Sequence, residues 1–313
     1  MFLISLQNVV LALLYAVPGY ILCKCKRVRA EHLSTLSSIL IYVLSPCMVV
    51  NAFLSFDFSL SNLGYMGLFF AVSLTLQIAF LAIVFLLLRK KYADAKYRVL
   101  TIATVLGNVG FFGLPVIKAL FPQNPEVACY SSIYVITMNV LVFTVGVFCL
   151  TGNKKFMTLR SALLNPSTIA FYVAIPLYAF GVKQYLPQML LSGLNLLSAM
   201  TTPVCMLILG IRLATVPLKS VFGQPIVYAA CLGKQILFPL FAFLFVFFLP
   251  LPFSFKASAL VLSGVPCASV ILNMAEIHHS ETELSANCVL MSTALSFLTI
   301  PLLTLLTPLL QLF

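Results

Sequence analysis

Charge is what this sequence has least of. Only 8% of its 313 residues are Asp, Glu, Lys or Arg, while 62% are hydrophobic. A soluble domain of this length needs far more charge to cover its surface, and without it exposed apolar patches drive aggregation. Composition therefore excludes an ordinary water-soluble fold. Acid is scarcer still. The seven acidic residues are Glu31, Asp57, Asp94, Glu126, Glu276, Glu281 and Glu283. None sits in the middle of an apolar run, and Glu276 lies near the end of one. Sodium and proton relays use buried carboxylates, so a dedicated cation site of that kind is not expected. Histidine is limited to His32, His278 and His279, all in connecting segments. With no HExxH motif, no buried histidine and no paired intramembrane aspartates, the residues an enzyme needs are missing. The nine cysteines are scattered, most of them inside apolar runs as small hydrophobes. Cys23 and Cys25 flank Lys24 with a single spacer, which is neither a zinc nor a redox spacing. No disulfide, metal or cofactor is expected.

Apolar runs fill the space that charge leaves. Ten are long enough to cross about 30 Å of hydrocarbon. They lie near residues 2–22, 33–55, 63–88, 99–120, 127–150, 166–182, 189–211, 224–249, 257–276 and 284–312. The first is not a signal peptide, because its basic cluster (Lys24, Lys26, Arg27 and Arg29) follows the run instead of preceding it.

The net charge of +11 reads as membrane orientation, not as a nucleic-acid footprint. With the N-terminus outside, the odd-numbered loops face the cytoplasm. They hold the first cluster, then Arg89, Lys90, Lys91, Lys96, Arg98, Lys154, Lys155, Arg160, Arg212 and Lys219. The outer loops hold only Lys118, Lys183 and Lys256. That asymmetry places both termini on the non-cytoplasmic side of the plasma membrane, in a multi-pass protein.

The chain also matches itself. Ala16-Val17-Pro18-Gly19-Tyr20 aligns with Ala174-Ile175-Pro176-Leu177-Tyr178, and Ser45-Pro46 with Thr202-Pro203. Gln77-Ile78 aligns with Gln235-Ile236, and Leu141 with Leu295. The offsets are 158, 157, 158 and 154 residues. This divides the chain into a first five-helix repeat over 1–150, a cytoplasmic connection over 151–165 and a second repeat over 166–313. Five spans are an odd number, so the second repeat enters from the opposite side. Inverted repeats of this kind build secondary transporters, with the site near the midplane.

Two runs carry breaks. The fourth contains Gly107-Asn108-Val109-Gly110-Phe111-Phe112-Gly113-Leu114-Pro115, and the ninth contains Gly264-Val265-Pro266-Cys267-Ala268-Ser269, then Asn273. Glycine loosens the helix and proline removes a donor. Broken backbone at membrane depth needs protein or a watery cavity beside it. Half-helix N-termini expose N–H groups and partial positive charge, which suits an anion such as a carboxylate. Close packing of small residues is the competing explanation for any one of these positions.

The first of these stretches resembles the fourth-helix motif of the auxin efflux carrier family. Gly264-Val265-Pro266 through Asn273, with Met291-Ser292-Thr293-Ala294-Leu295-Ser296 and Ile300-Pro301-Leu302, resembles that family's last two helices. The long loop of the plant PIN-formed members is absent, since Thr151 to Asn165 is short, so the chain is closer to the compact bacterial members. The resemblance implies an all-α, ten-helix elevator fold shared with bile-acid transporters and sodium/proton antiporters. Helices 1, 2, 6 and 7 would be the scaffold, and broken helices 4 and 9 would cross in the moving unit. It also implies that Asn108, Leu114, Pro115, Val265, Pro266 and Ser269 face substrate. Gly110 and Gly113 belong with them as backbone positions of the break, and Asn139 and Asn273 join as polar residues at membrane depth.

Lys234 is the one charge deep in a run. Such a lysine costs on the order of 2.5–3.5 kcal/mol to insert. It is a candidate anion partner or titratable group, with snorkelling as the bland alternative. The expectation is a permease, a secondary transporter that moves a small organic anion by elevator-type alternating access. An anion-selective channel, or a cation-coupled symporter or antiporter of the same fold, is the alternative. The expected partners are that anion and the lipid bilayer, not nucleic acid. A homodimer is the remaining candidate assembly.

Overall fold

Leu, Ile, Val and Phe surround the long runs on every side, and in the computed structural model, which describes residues 1–311, these runs are helices. Residues 312–313, the end of the expected second half, lie outside them. The described residues contain no strand, only one isolated antiparallel bridge. The main helical segments are α1 (Phe2–Lys24), α2 (Leu33–Leu54), α3 (Leu60–Lys91), α4 (Ala95–Ala103), α5 (Val109–Leu120) and α6 (Val127–Thr151). They continue as α7 (Pro166–Ala179), α8 (Gln188–Thr215), α9 (Pro225–Phe247), α10 (Phe253–Ser263), α11 (Ser269–Ile277) and α12 (Thr282–Leu303). Eight stretches, α7 with the turns before it included, are long and apolar enough to cross a membrane. The chain is a multi-pass, all-helical membrane protein. α4 with α5, and α10 with α11, are shorter pieces separated by the two predicted breaks.

Two packing groups are evident, joined by the first part of α1 (Phe2–Leu14), which packs on α12 and α5. The second part of α1 packs on α8, and α2 packs on both α7 and α8. The contact between α1 and α8 depends on glycine at two places. A Cβ at Gly210 would lie 1.9 Å from the Ala16 carbonyl oxygen, and one at Gly19 would lie 2.3 Å from that of Leu207. The other group surrounds the breaks: α3 on α6, α9 on α10 and α12, α10 on α6, and α11 on α12. Where α3, α6 and α10 meet, Phe69 stacks on Tyr130, and Phe255 packs edge-on against both rings.

Two basic residues assigned to loops are buried inside helices. α8 runs one turn past the expected end at residue 211, because Leu213-Ala214-Thr215 continues the helix until Val216 turns extended before Pro217. Arg212 is therefore a buried helical residue, 9% exposed. Lys256 lies in the first turn of α10, where Pro252 starts the helix early. It is buried, and its Nζ donates to the Phe247 carbonyl at the end of α9 at 3.4 Å. A cation at a helix C-terminus offsets the dipole there.

Candidate functional site

The breaks meet each other. The Asn108 amide donates to the Pro266 carbonyl at 2.7 Å, and the Ala268 amide donates to the Leu106 carbonyl at 3.0 Å. These two bonds make the bridge between Gly107 and Cys267. Unwound backbone in an apolar interior must find partners, and each break supplies them to the other. Ser292 of α12 adds a third bond, its Oγ lying 2.9 Å from the Cys267 amide. Gly107 is required by the closeness: a Cβ there would lie 2.8 Å from Val265 Cγ2 and 2.9 Å from Lys234 Cε.

Beyond the first break the chain winds as a wide turn over Val109–Gly113 before regular helix resumes at Leu114. Pro115 has no N–H for the carbonyl four residues back, that of Phe111. Thr202 of α8 supplies the donor, at 2.8 Å.

A cavity of about 360 Å³ opens beside this crossing. The starts of α5 and α11 form one wall, through Asn108, Val109, Gly110, Phe111, Ala268, Ser269 and Val270. α2 contributes Ser45 and Met48, α6 contributes Met138 and Asn139, and α8 contributes Cys205, Ile208 and Arg212. The positive ends of two half-helices thus face one space, and no Asp or Glu lines it. Several polar groups there are unspent. Ser269 Oγ is buried without a partner. Asn108, 4% exposed, makes only a 3.9 Å contact to Cys205 Sγ through its side chain. A second cleft, lined by Asp57, Tyr178 and Lys183, lies away from the breaks and is spanned by a 2.9 Å ion pair between Lys183 and Asp57.

The predicted residues divide into two sets. Asn108, Gly110, Asn139, Ser269 and Asn273 line the cavity. Gly113, Leu114, Pro115, Val265, Pro266 and Lys234 do not; they pack around the crossing. A Cβ at Gly113 would lie 3.1 Å from Val265 Cγ1, so this glycine lets α5 approach the second break. Lys234 is fully buried, donates to the Ser263 carbonyl at the C-terminal end of α10, and lies 4.9 Å over the Phe238 ring.

Arg212 was missed. Its guanidinium lines the cavity, pairs with both oxygens of Glu276, and donates to Asn273 Oδ1 at 3.1 Å. The signal was spacing: Cys205, Ile208 and Arg212 fall at i, i+3 and i+7, one stripe of a helix. Ser45 and Ser167, whose hydroxyls lie 2.7 Å apart between α2 and α7, were also missed.

Known proteins are similar to this sequence along nearly the whole chain. A family model described as "Membrane transport protein" matches residues 4–156 and 151–304. A protein of Methanocaldococcus jannaschii described as an uncharacterized transporter is 28% identical over 309 residues, covering 96% of this chain and 98% of that protein. Another uncharacterized transporter, from Methanothermobacter thermautotrophicus, is 26% identical over 307 residues, with the same two coverages, 96% and 98%.

Proposed function

Because the chain belongs to this membrane transport protein family, which includes the auxin efflux carriers, we propose that it is a secondary transporter for a small organic anion. The observation that carries this reading is the convergence of two half-helix N-termini and one buried arginine on a cavity that no carboxylate lines. Backbone N–H groups, the helix dipoles and a guanidinium all favour negative charge. The unspent Asn108, Asn139 and Ser269 side chains supply hydrogen bonds that fix orientation.

The proposed layout is ten spans in two inverted halves, 1–150 and 166–313, joined by 151–165. Both termini lie outside the plasma membrane. In that orientation the cavity, which reaches Asn165 and Ile277, opens to the cytoplasm. α1, α2, α7 and α8 would stay fixed while the helices around the breaks carry the substrate across, an elevator motion. The mutual packing of α2, α7, α8 and the second part of α1 supports this division. Transport would be uniport of the anion, driven by its own gradient and by the membrane potential.

The test is a thermal-shift screen of purified protein against organic acids, including indole-3-acetate, followed by counterflow in proteoliposomes. A stabilising acid that shows saturable counterflow, lost in Asn108→Ala, is expected. Flux that does not saturate would indicate a channel instead.

A further inference from the structure

Arg212 and Glu276 are unequal partners. The arginine side chain is 10% exposed, and the glutamate side chain is 44% exposed. A buried guanidinium must be paired, whereas a half-exposed carboxylate is already largely hydrated and is released to water at little cost. The pair is therefore stable as a site for a carboxylate but not committed to this one. Arginine presents a planar fork of donors that fits a carboxylate in two-point contact. Glu276 holds that fork now, with Asn273 Oδ1 beside it.

Position adds to the chemistry. Arg212 lies on the same stripe of α8 as Cys205, which touches Asn108 at the crossing. Seven residues of helix put the guanidinium about 10 Å from that level. It stands between the half-helix N-termini and the mouth at Ile277, on the path of any anion entering there. The pair also joins α8, of the first packing group, to α11, of the second. A second carboxylate on Arg212 would detach α11 from α8.

We propose that Arg212 is a carboxylate-binding residue of the transport path, and that Glu276 is a resident carboxylate which the substrate's own carboxylate displaces. The ligand class is a carboxylic acid small enough for the 360 Å³ cavity. This inference rests on the anion reading above and adds a named residue and a competition to it.

The experiment measures binding of L-malate, succinate, benzoate and indole-3-acetate, and of their amides, to purified full-length protein by calorimetry. For an acid that binds the unaltered chain, Glu276→Gln is expected to tighten binding on the order of tenfold by removing the competitor. Arg212→Gln is expected to weaken it on the order of tenfold or more. The double variant Arg212→Gln/Glu276→Gln, which leaves no orphaned charge, is expected to bind as weakly as Arg212→Gln, so a folding defect does not mimic the result. Equal affinity in Glu276→Gln, or full affinity in the double variant, overturns the inference and leaves the anion reading standing. A chain that binds none of the acids, or binds the amides as well, overturns both.

Discussion

Gly107 lies against Lys234 so closely that a methyl group at residue 107 would come within 2.9 Å of the lysine Cε and 3.0 Å of its Nζ. The lysine does not point into the cavity. It runs behind the crossing to the Ser263 carbonyl, at the C-terminal end of α10. Gly107→Ala must push Lys234 or Val265 aside. The expected outcome is a protein destabilised by about 1–3 kcal/mol, as for an overpacked core, with the bridge to Cys267 disturbed. Thermal melting in detergent measures the first effect, and anion binding measures the second. Melting and binding like those of the unaltered chain would contradict this packing.

Gly210→Ala is expected to be worse, because the added methyl would meet the Ala16 carbonyl, which is helix backbone and cannot swing away. α1 and α8 must separate to admit it. Gly193 lies on the same α8 with nothing within 4 Å of its would-be Cβ. There alanine is expected to be neutral or stabilising by roughly 0.5–1 kcal/mol. Melting the two variants side by side separates the contact from any general effect of glycine in α8.

Thr202→Val removes the donor that satisfies Phe111 and keeps the side-chain shape. Leaving this part-buried carbonyl unpaired costs at most about 1–3 kcal/mol. Thr202→Ser is expected to retain most of the stability, since it keeps the hydroxyl. Equal melting of the two would show that the bond to Phe111 contributes nothing.

Much of this architecture was legible in the sequence, for physical reasons. Lipid demands long apolar segments, so the helices could be read directly from hydropathy. The breaks were legible because Gly107-Asn108-Val109-Gly110 and Gly264-Val265-Pro266 violate helix rules where no loop is tolerated. Arg212 and Lys256 were not legible as buried residues. Each sits within a turn of a helix end, where charge usually signals a loop, and only tertiary pairing with Glu276 or Phe247 holds it inside. The division of the predicted site was hidden for a similar reason. Whether Gly110 or Gly113 faces the cavity depends on the wide turn over Val109–Gly113, which rotates the faces of α5 in a way that no regular period predicts.

Flux of a monovalent anion is expected to follow the membrane potential and to ignore sodium. The cavity has no carboxylate lining to hold a cation. At 100 mV a monovalent anion carried alone equilibrates at a gradient of about fiftyfold. Proteoliposomes clamped with potassium and valinomycin measure it. Flux indifferent to potential and abolished by collapsing a sodium gradient would refute uniport.

The reciprocal bonds between Asn108 and Pro266 and between Ala268 and Leu106 act like a rivet through two otherwise separate strips of chain. Neither strip slides along the other without leaving two amides dry and unpaired in an oily interior. If, as proposed, a passenger sits beside the rivet, it would not thread past it; it would keep one fixed berth, and its journey would be the displacement of the berth itself.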